Sequence, residues 1–244
     1  MDPLAGVLPR ALLLDVEGTT TPVRFVHDVL FPFARAELRT FLERCGLEPD
    51  VREDIERLRA EHAADVGHRS EWHDDTPAAT LDSAEAYARF LMEGDRKSTG
   101  LKALQGRIWE EGYHQGRLRG EVYPDVPPAF ERWRRQGREI AIFSSGSVLA
   151  QRLLFGSTAA GDLTSHIRAF FDTTTGPKRD PPSYRRIAEA LGQPPAQVLF
   201  LSDVEPELDA ARGVGMLTAL CVREGGPPPA SSHPVVATFD GVCP

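Results

Sequence analysis

Short, uninterrupted apolar runs, each ended at once by residues able to handle phosphate, constrain the fold of this chain more than anything else in it. Ala11–Leu14 leads into Asp15 and Glu17 in LLLDVEGTTTP, the run 140–143 into Ser144-Ser145-Gly146-Ser147, and the run 198–201 into Asp203 in VLFLSDVEPE. Lys178, in GPKRDPPSY, follows a short strand signal at Phe170 and Phe171. Runs this short and this apolar read as strands buried on both faces, the kind found in parallel sheets covered by helices. In an open sheet of that kind the carboxyl ends of the strands border one crevice. Residues far apart in sequence then meet there: a carboxylate nucleophile, hydroxyls, an ammonium and further acids. That set suits a phosphate and a divalent cation.

The second half of the chain alternates regularly. Strands are expected at 138–143, near 170–171, at 198–201 and at 217–222, with helices at 147–155, 183–191 and 207–214. A Gly/Pro loop at 225–229 precedes a possible last edge strand at 235–239. The stretch 22–123 breaks that rhythm and reads as helices at 24–45, 50–65, 81–93 and 98–116, joined in the middle by a polar loop over 66–79. Leu101, Leu104 and Ile108 recur at the spacing of a buried helical stripe. The expected organisation is therefore an α/β, doubly wound, Rossmann-like parallel-sheet core over 1–21 and 124–244, with a helical cap inserted over 22–123. Insertion directly after the first strand's polar tip would let the block act as a lid.

Composition narrows the function classes. A net charge of -8 provides no electrostatic footprint for nucleic acid and disfavours anionic membranes. Cys45, Cys221 and Cys243 are too few and too scattered for a disulfide framework or a zinc site, so a reducing cytoplasm is the simplest home. No run approaches the roughly 18 apolar residues of a membrane span. The first residues, MDPLAGVLPRALLLDVEG, read as a tail and first strand rather than a signal peptide.

Each chemical group has a plain alternative. Asp15 as nucleophile would give an aspartyl-phosphate and split one hard hydrolysis into two steps. Glu17, two residues on in an extended segment, would point the same way and serve as acid and then base. Alone, DVEGTT would be a strand end with a helix cap. Asp203 and Glu207 could be a capping acid and a solvated neighbour, Lys178 an exposed lysine, and the serines a helix cap. Together, Asp15, Glu17, Asp203 and Glu207 would repel one another unless a hard cation such as Mg²⁺ joined them. Lys178 would add positive charge against a transferring phosphoryl group, and the Ser144 turn would offer N–H groups to an anion. His62, His68 and His73 read as surface histidines, Trp109 and Tyr113 as core of the helical block, and Arg132, Arg134 and Arg135 as a solvated helix face.

These groups resemble the haloacid dehalogenase superfamily of phosphohydrolases, in which the second acid is usually Asp rather than Glu17. DVEGTTTPVRFVHDVLFPF, DRKSTGLKALQG, FSSGSVLAQRLLFG and LFLSDVEPELDAA resemble more closely the enolase-phosphatase family, over nearly the whole chain. The resemblance implies conversion of 2,3-diketo-5-methylthiopentyl 1-phosphate to an acireductone in methionine salvage, by enolisation and then dephosphorylation. It implies Mg²⁺ held by Asp15, the backbone carbonyl or side chain of Glu17, and Asp203, with Glu207 behind them. Ser144, Ser145 and Lys178 would hold the substrate, and Lys97 in the helical block would touch it. Glu17 and Lys178 are both candidates for the enolisation base. The expected enzyme is a cytoplasmic monomer acting on a small phosphorylated diketone, without nucleic acid or membrane partners. Its rivals are a general small-molecule phosphatase of the superfamily and a phospho-Asp signalling receiver; a receiver is much shorter and lacks the inserted block.

Overall fold

Six parallel strands lie in the order β3-β2-β1-β4-β5-β6. They are β1 (Ala11–Leu14), β2 (Glu139–Phe143), β3 (Ala169–Phe171), β4 (Val198–Ser202), β5 (Leu217–Cys221) and β6 (Val235–Val236). This is the strand order of a doubly wound nucleotide-binding sheet, whose chain reverses direction across β1. β1 pairs with β2 on one side, Leu14 opposite Ile142, and with β4 on the other, Leu14 opposite Leu201. The three strands therefore end level with one another. The computed structural model describes residues 8–67, 70–96, 98–223 and 230–243. The start of the tail, His68, Lys97 and the loop at 225–229 lie outside the described residues.

The helices are α1 (Val23–Phe25), α2 (Phe31–Cys45), α3 (Pro49–Ala64), α4 (Pro77–Glu93), α5 (Thr99–His114), α6 (Val126–Arg135), α7 (Val148–Gly156), α8 (Pro181–Leu191) and α9 (Glu205–Gly213). One sheet face packs Leu13, Phe143 and Phe200 against Tyr184 and Ile187 of α8 and Leu208 of α9. Phe130 and Trp133 of α6 stack with Phe155 of α7 and Phe239 in a separate aromatic group. Gly192 ends α8 in the left-handed conformation, φ 65°, where a side chain would be strained.

Contacts divide the chain into two compact units, Met1–Val26 with Arg119–Pro244, and His27–Leu118. Within the second, Asp54 is wholly buried on α3 yet paired with Arg57 at 2.5 Å and Arg107 at 2.6 Å. Glu61 caps the start of α5 by accepting the Thr99 and Gly100 N–H groups. Trp109 and Tyr113 are buried, and the Trp109 indole donates to the Leu30 carbonyl at 2.8 Å.

Several sequence expectations need correction. The helix expected at 24–45 is interrupted by a π-helical turn, Val26–Leu30. Pro32 has no N–H for the Asp28 carbonyl, and the ladder widens just before it. α4 starts at Pro77 rather than 81, because Thr76 caps the Ala79 N–H and Pro77 fits a first turn. The last strand is only Val235–Val236. His62 is not a plain surface residue: it is half-buried, packs on Trp72 and Tyr87, and bonds the Ser70 carbonyl at 2.9 Å. Arg132 is not simply solvated either, since its guanidinium donates to the carbonyls of Phe239, Val242 and Cys243. None of the described helices is long and apolar enough to cross a membrane, and none of the three cysteines forms a disulfide.

Candidate active site

Asp15 stands one residue past β1 and is 2% exposed. Its N–H extends the pairing to the Leu201 carbonyl at 3.0 Å, so the sheet itself fixes its position. Oδ1 accepts from the Val16 N–H at 2.8 Å and from Lys178 Nζ at 2.6 Å, while Oδ2 accepts from Ser202 Oγ at 2.9 Å. Both carboxylate oxygens are thus held, in a site where few rotamers remain.

Lys178 is not an exposed lysine. It is 9% exposed and bridges Asp15 to Glu207, 2.7 Å from Oε2. Burial alone would lower the pKa of this ammonium, but the charges of Asp15 and Glu207 and the bonds to both outweigh it and raise the pKa above the usual lysine range. Tyr184 fixes the lysine's backbone by donating to its carbonyl at 2.6 Å. The Tyr184 ring is wedged between Phe143 and Phe200, so the core sets the reach of the ammonium.

Asp203 follows β4 and Glu207 lies in the first turn of α9. Burial first, and then the Asp15 charge, push Asp203 up to about 6; the same two causes push Glu207 up to about 7 against the pull of Lys178. Asp203 nevertheless opens to solvent on one side. One ammonium therefore faces three gathered acids, and the site retains uncompensated negative charge on hard oxygen atoms, which fits Mg²⁺. Among the described residues, no three acidic, histidine or cysteine side chains form a metal cage. Mg²⁺ is commonly held by one or two carboxylates together with water and phosphate oxygens, so this donor set still suits it.

Glu17 does not continue the strand as the alternation rule suggested. The chain bends at Val16, and Glu17 is bridged to Thr21 within a tight turn. Gly18 sits in that turn at φ +67°, and a Cβ there would lie 2.2 Å from Asp203 Oδ2. The turn and Asp203 are therefore packed backbone against carboxylate, and the Glu17 charge helps raise the Asp203 pKa. Thr20 ties the turn down by bonding the Asp15 and Val16 carbonyls at 3.0 and 3.2 Å.

Ser144 directly follows β2, beside β1, and is buried; its hydroxyl accepts the Gly146 N–H at 3.0 Å. Ser145 is half-buried, and Ser147 caps α7 through the Ala150 N–H. Structure thus brings Asp15, Lys178 and Glu207 into direct contact, with Asp203 and the Glu17 turn adjoining. Lys97 lies outside the described residues.

A family model of haloacid dehalogenase-like hydrolases matches residues 9–215. Enolase-phosphatase E1 of Synechococcus elongatus is 52% identical over 215 residues, covering 88% of this chain and 89% of that protein. The chain belongs to the haloacid dehalogenase-like hydrolases, in the enolase-phosphatase family. The similarity extends over the rest of the hydrolase as well. Enolase-phosphatase E1 of Sorangium cellulosum is 48% identical over 244 residues, covering 99% of this chain and 100% of its own. Among solved structures, the UTR4 protein of Saccharomyces cerevisiae superposes with a TM-score of 0.77 at 32% identity, covering 95% of this chain and 99% of that one.

Sequence reasoning missed two parts of the hydrolase's site. Ser202 falls one residue past the strand expected at 198–201, yet it ends β4 with its hydroxyl wholly buried between Asp15 and Glu207. Tyr184 reads as an apolar helix position, and its bond to Lys178 depends on packing between α8 and the sheet. The one available signal was Ser202's place directly before Asp203.

Proposed function

We propose that this enzyme converts 2,3-diketo-5-methylthiopentyl 1-phosphate to the acireductone and phosphate, in methionine salvage. The observation that carries the reading is the buried Asp15 held by Lys178 and Ser202 at the tip of the central strand, in a chain 52% identical to an enolase-phosphatase. Asp15 attacks phosphorus, the P–O bond to the enol oxygen breaks, and an aspartyl-phosphate forms; water then releases phosphate and regenerates the carboxylate. Lys178 stays charged throughout and faces the phosphoryl oxygens.

The same lysine is the weaker of the two enolisation bases, since pairing with two carboxylates keeps it protonated. Glu17 is the base that remains. On taking the proton from the phosphate-bearing carbon it becomes an acid and can return that proton to the neighbouring carbonyl oxygen, which completes the enol and restores the carboxylate; the leaving oxygen of the next step takes its proton from water. Ser144 and Ser145 hold the substrate just past β2, and Lys97, in the block inserted over residues 22–123 and expected to act as a cap, is the further substrate contact put forward for test. The protein works as a cytoplasmic monomer.

Asp15, Asp203 and the Glu17 carbonyl or side chain would hold Mg²⁺, which when bound supplies a Lewis acid to the phosphoryl and carbonyl oxygens. Chelation with EDTA is expected to stop phosphate release and added Mg²⁺ to restore it; undiminished turnover in metal-free buffer would contradict this assignment. The substrate assignment is tested by comparing kcat/KM for the diketone phosphate with that for simple sugar and aryl phosphates. A preference below about tenfold, worth only 1.4 kcal/mol of transition-state binding, would favour a general phosphatase.

Ser202→Ala removes the donor to Asp15 Oδ2 without adding bulk. A hydrogen bond to a charged group contributes about 1.5–3 kcal/mol, so kcat for phosphate release is expected to fall roughly 10- to 100-fold with KM little changed. A kcat equal to wild type would show that Ser202 merely fills space.

A further inference from the structure

Arg223, two residues beyond β5, makes an arrangement that none of the chemistry above uses. It is buried at the carboxyl edge of the sheet, between the rings of Tyr123 and Phe239, 4.6 and 4.1 Å from the guanidinium carbon. Its Nε donates to the Thr19 carbonyl at 2.8 Å. Its Nη1 donates to Asp125 Oδ2 at 2.6 Å and to the Ala237 carbonyl at 3.2 Å. The same Asp125 oxygen accepts the Phe239 N–H at 2.6 Å. Beside these, the Tyr123 N–H donates to the Thr20 carbonyl at 2.9 Å.

Two consecutive carbonyls of the Glu17 turn are thus held from one side by the pair Arg223 and Tyr123. Arg223 in turn is held by the last described segment of the chain, which α6 anchors through Arg132 and through the Trp133 indole bonded to the Val242 carbonyl at 2.8 Å. The third guanidinium nitrogen, Nη2, is buried without a hydrogen-bond partner among the described residues. Burying a charged group with a donor left over is costly. An apolar side chain would fill the ring sandwich without that cost. What only a planar, forked cation supplies is simultaneous bonding of the turn, the acid and the carboxyl-terminal strand.

We propose that Arg223 is a positioning residue: it transmits the fixed geometry of the carboxyl-terminal segment to the turn that carries Glu17 and adjoins Asp203. The turn's own backbone bonds run from the Thr19, Thr20 and Thr21 N–H groups to the Val16 carbonyl and from the Gly18 N–H to the Thr21 carbonyl, and Gly18 allows it more than one backbone path. Glu17 and the Gly18–Asp203 contact keep their places because Thr19 and Thr20 cannot swing outward. The consequence for catalysis rests on the proposed roles of Asp15 and Glu17; the consequence for the turn does not.

Hydrogen exchange on the metal-free protein separates the two. In Arg223→Lys the charge, the Asp125 pair and the ring contacts stay, but one ammonium cannot also reach Thr19. The amides of residues 18–21 are expected to exchange about fivefold faster, the equivalent of one lost hydrogen bond, while those of β1 and β4 keep their wild-type rates. Arg223→Met should loosen the turn further. In steady state with an aryl phosphate, Arg223→Lys should lower kcat about tenfold with KM within about twofold, a split expected of displaced catalytic groups. Unchanged exchange at residues 18–21 in Arg223→Lys overturns the proposal, as does acceleration spread evenly over all strands. A loosened turn with wild-type kcat would keep the clasp but remove the catalytic role of the turn.

Discussion

Asp15→Asn is expected to abolish phosphate release, by roughly 10⁴-fold or more, the loss seen when a covalent nucleophile is removed from a working unit. The change is nearly isosteric. The amide oxygen, placed at the Oδ1 position, still accepts the Val16 N–H, the amide NH2 can donate to Ser202 Oγ, and Lys178 retains Glu207 as counter-ion. The protein should therefore fold, and the loss should be chemical: an amide does not attack phosphorus. In the proposed division of labour, enolisation makes no use of the nucleophile. With Glu17 as base and Lys178 still charged, the variant at saturating Mg²⁺ is expected to convert the diketone phosphate to its enol phosphate and stop there. Ultraviolet absorbance of the conjugated enol and a phosphate assay on the same sample follow the two steps independently. Phosphate release within tenfold of wild type would sink the nucleophile assignment. A folded variant forming neither enol nor phosphate would mean that Asp15 is needed for both steps.

The residues behind this prediction were legible to different degrees. Asp15 and Asp203 could be found because a buried strand is a continuous apolar run, and the first acid past it stands at the sheet's carboxyl edge. The same alternation pointed to a parallel, doubly wound sheet, but the order of its strands came only with the structure. Glu207 was found as an acid of the pocket, but not as the partner of Lys178. That contact joins α9 to the loop before α8, and no local pattern encodes it. Ser202 and Tyr184 were hidden for a related reason: a hydroxyl at the end of an apolar strand and a tyrosine on an apolar helix face obey the patterns of their elements. Arg132 was misread because a run of arginines on a helix is usually solvated, whereas here the carboxyl-terminal segment supplies carbonyls to one of them. Positions whose role is set by one long-range bond resist reading from sequence, even when the fold is plain.

Lys178→Met should be the most damaging single change for stability and activity together. Removing one partner of a buried ion pair leaves an uncompensated charge and typically costs about 3–5 kcal/mol. Here the cost falls at the lower end, because Glu207, already raised from its ordinary 4.5 to about 7, can take up a proton once the ammonium is gone. That escape gives the variant a signature in pH. A carboxyl whose folded pKa is raised contributes stability that is complete below its unfolded value and is lost as pH rises through the folded one. Lys178→Met should therefore lie closest to wild type near pH 5 and fall progressively behind it towards pH 8, by about 3 kcal/mol or roughly 6–12 °C in melting temperature. Adding Glu207→Gln removes the titrating group, so the double variant should regain most of the lost stability and show a flatter pH profile. It should regain no activity, since the ammonium is proposed to serve both enolisation and phosphoryl transfer. A double variant as active as wild type would show that the lysine serves only to neutralise Glu207. A pH-independent deficit in Lys178→Met would show that the cost is packing around the lysine stem rather than charge.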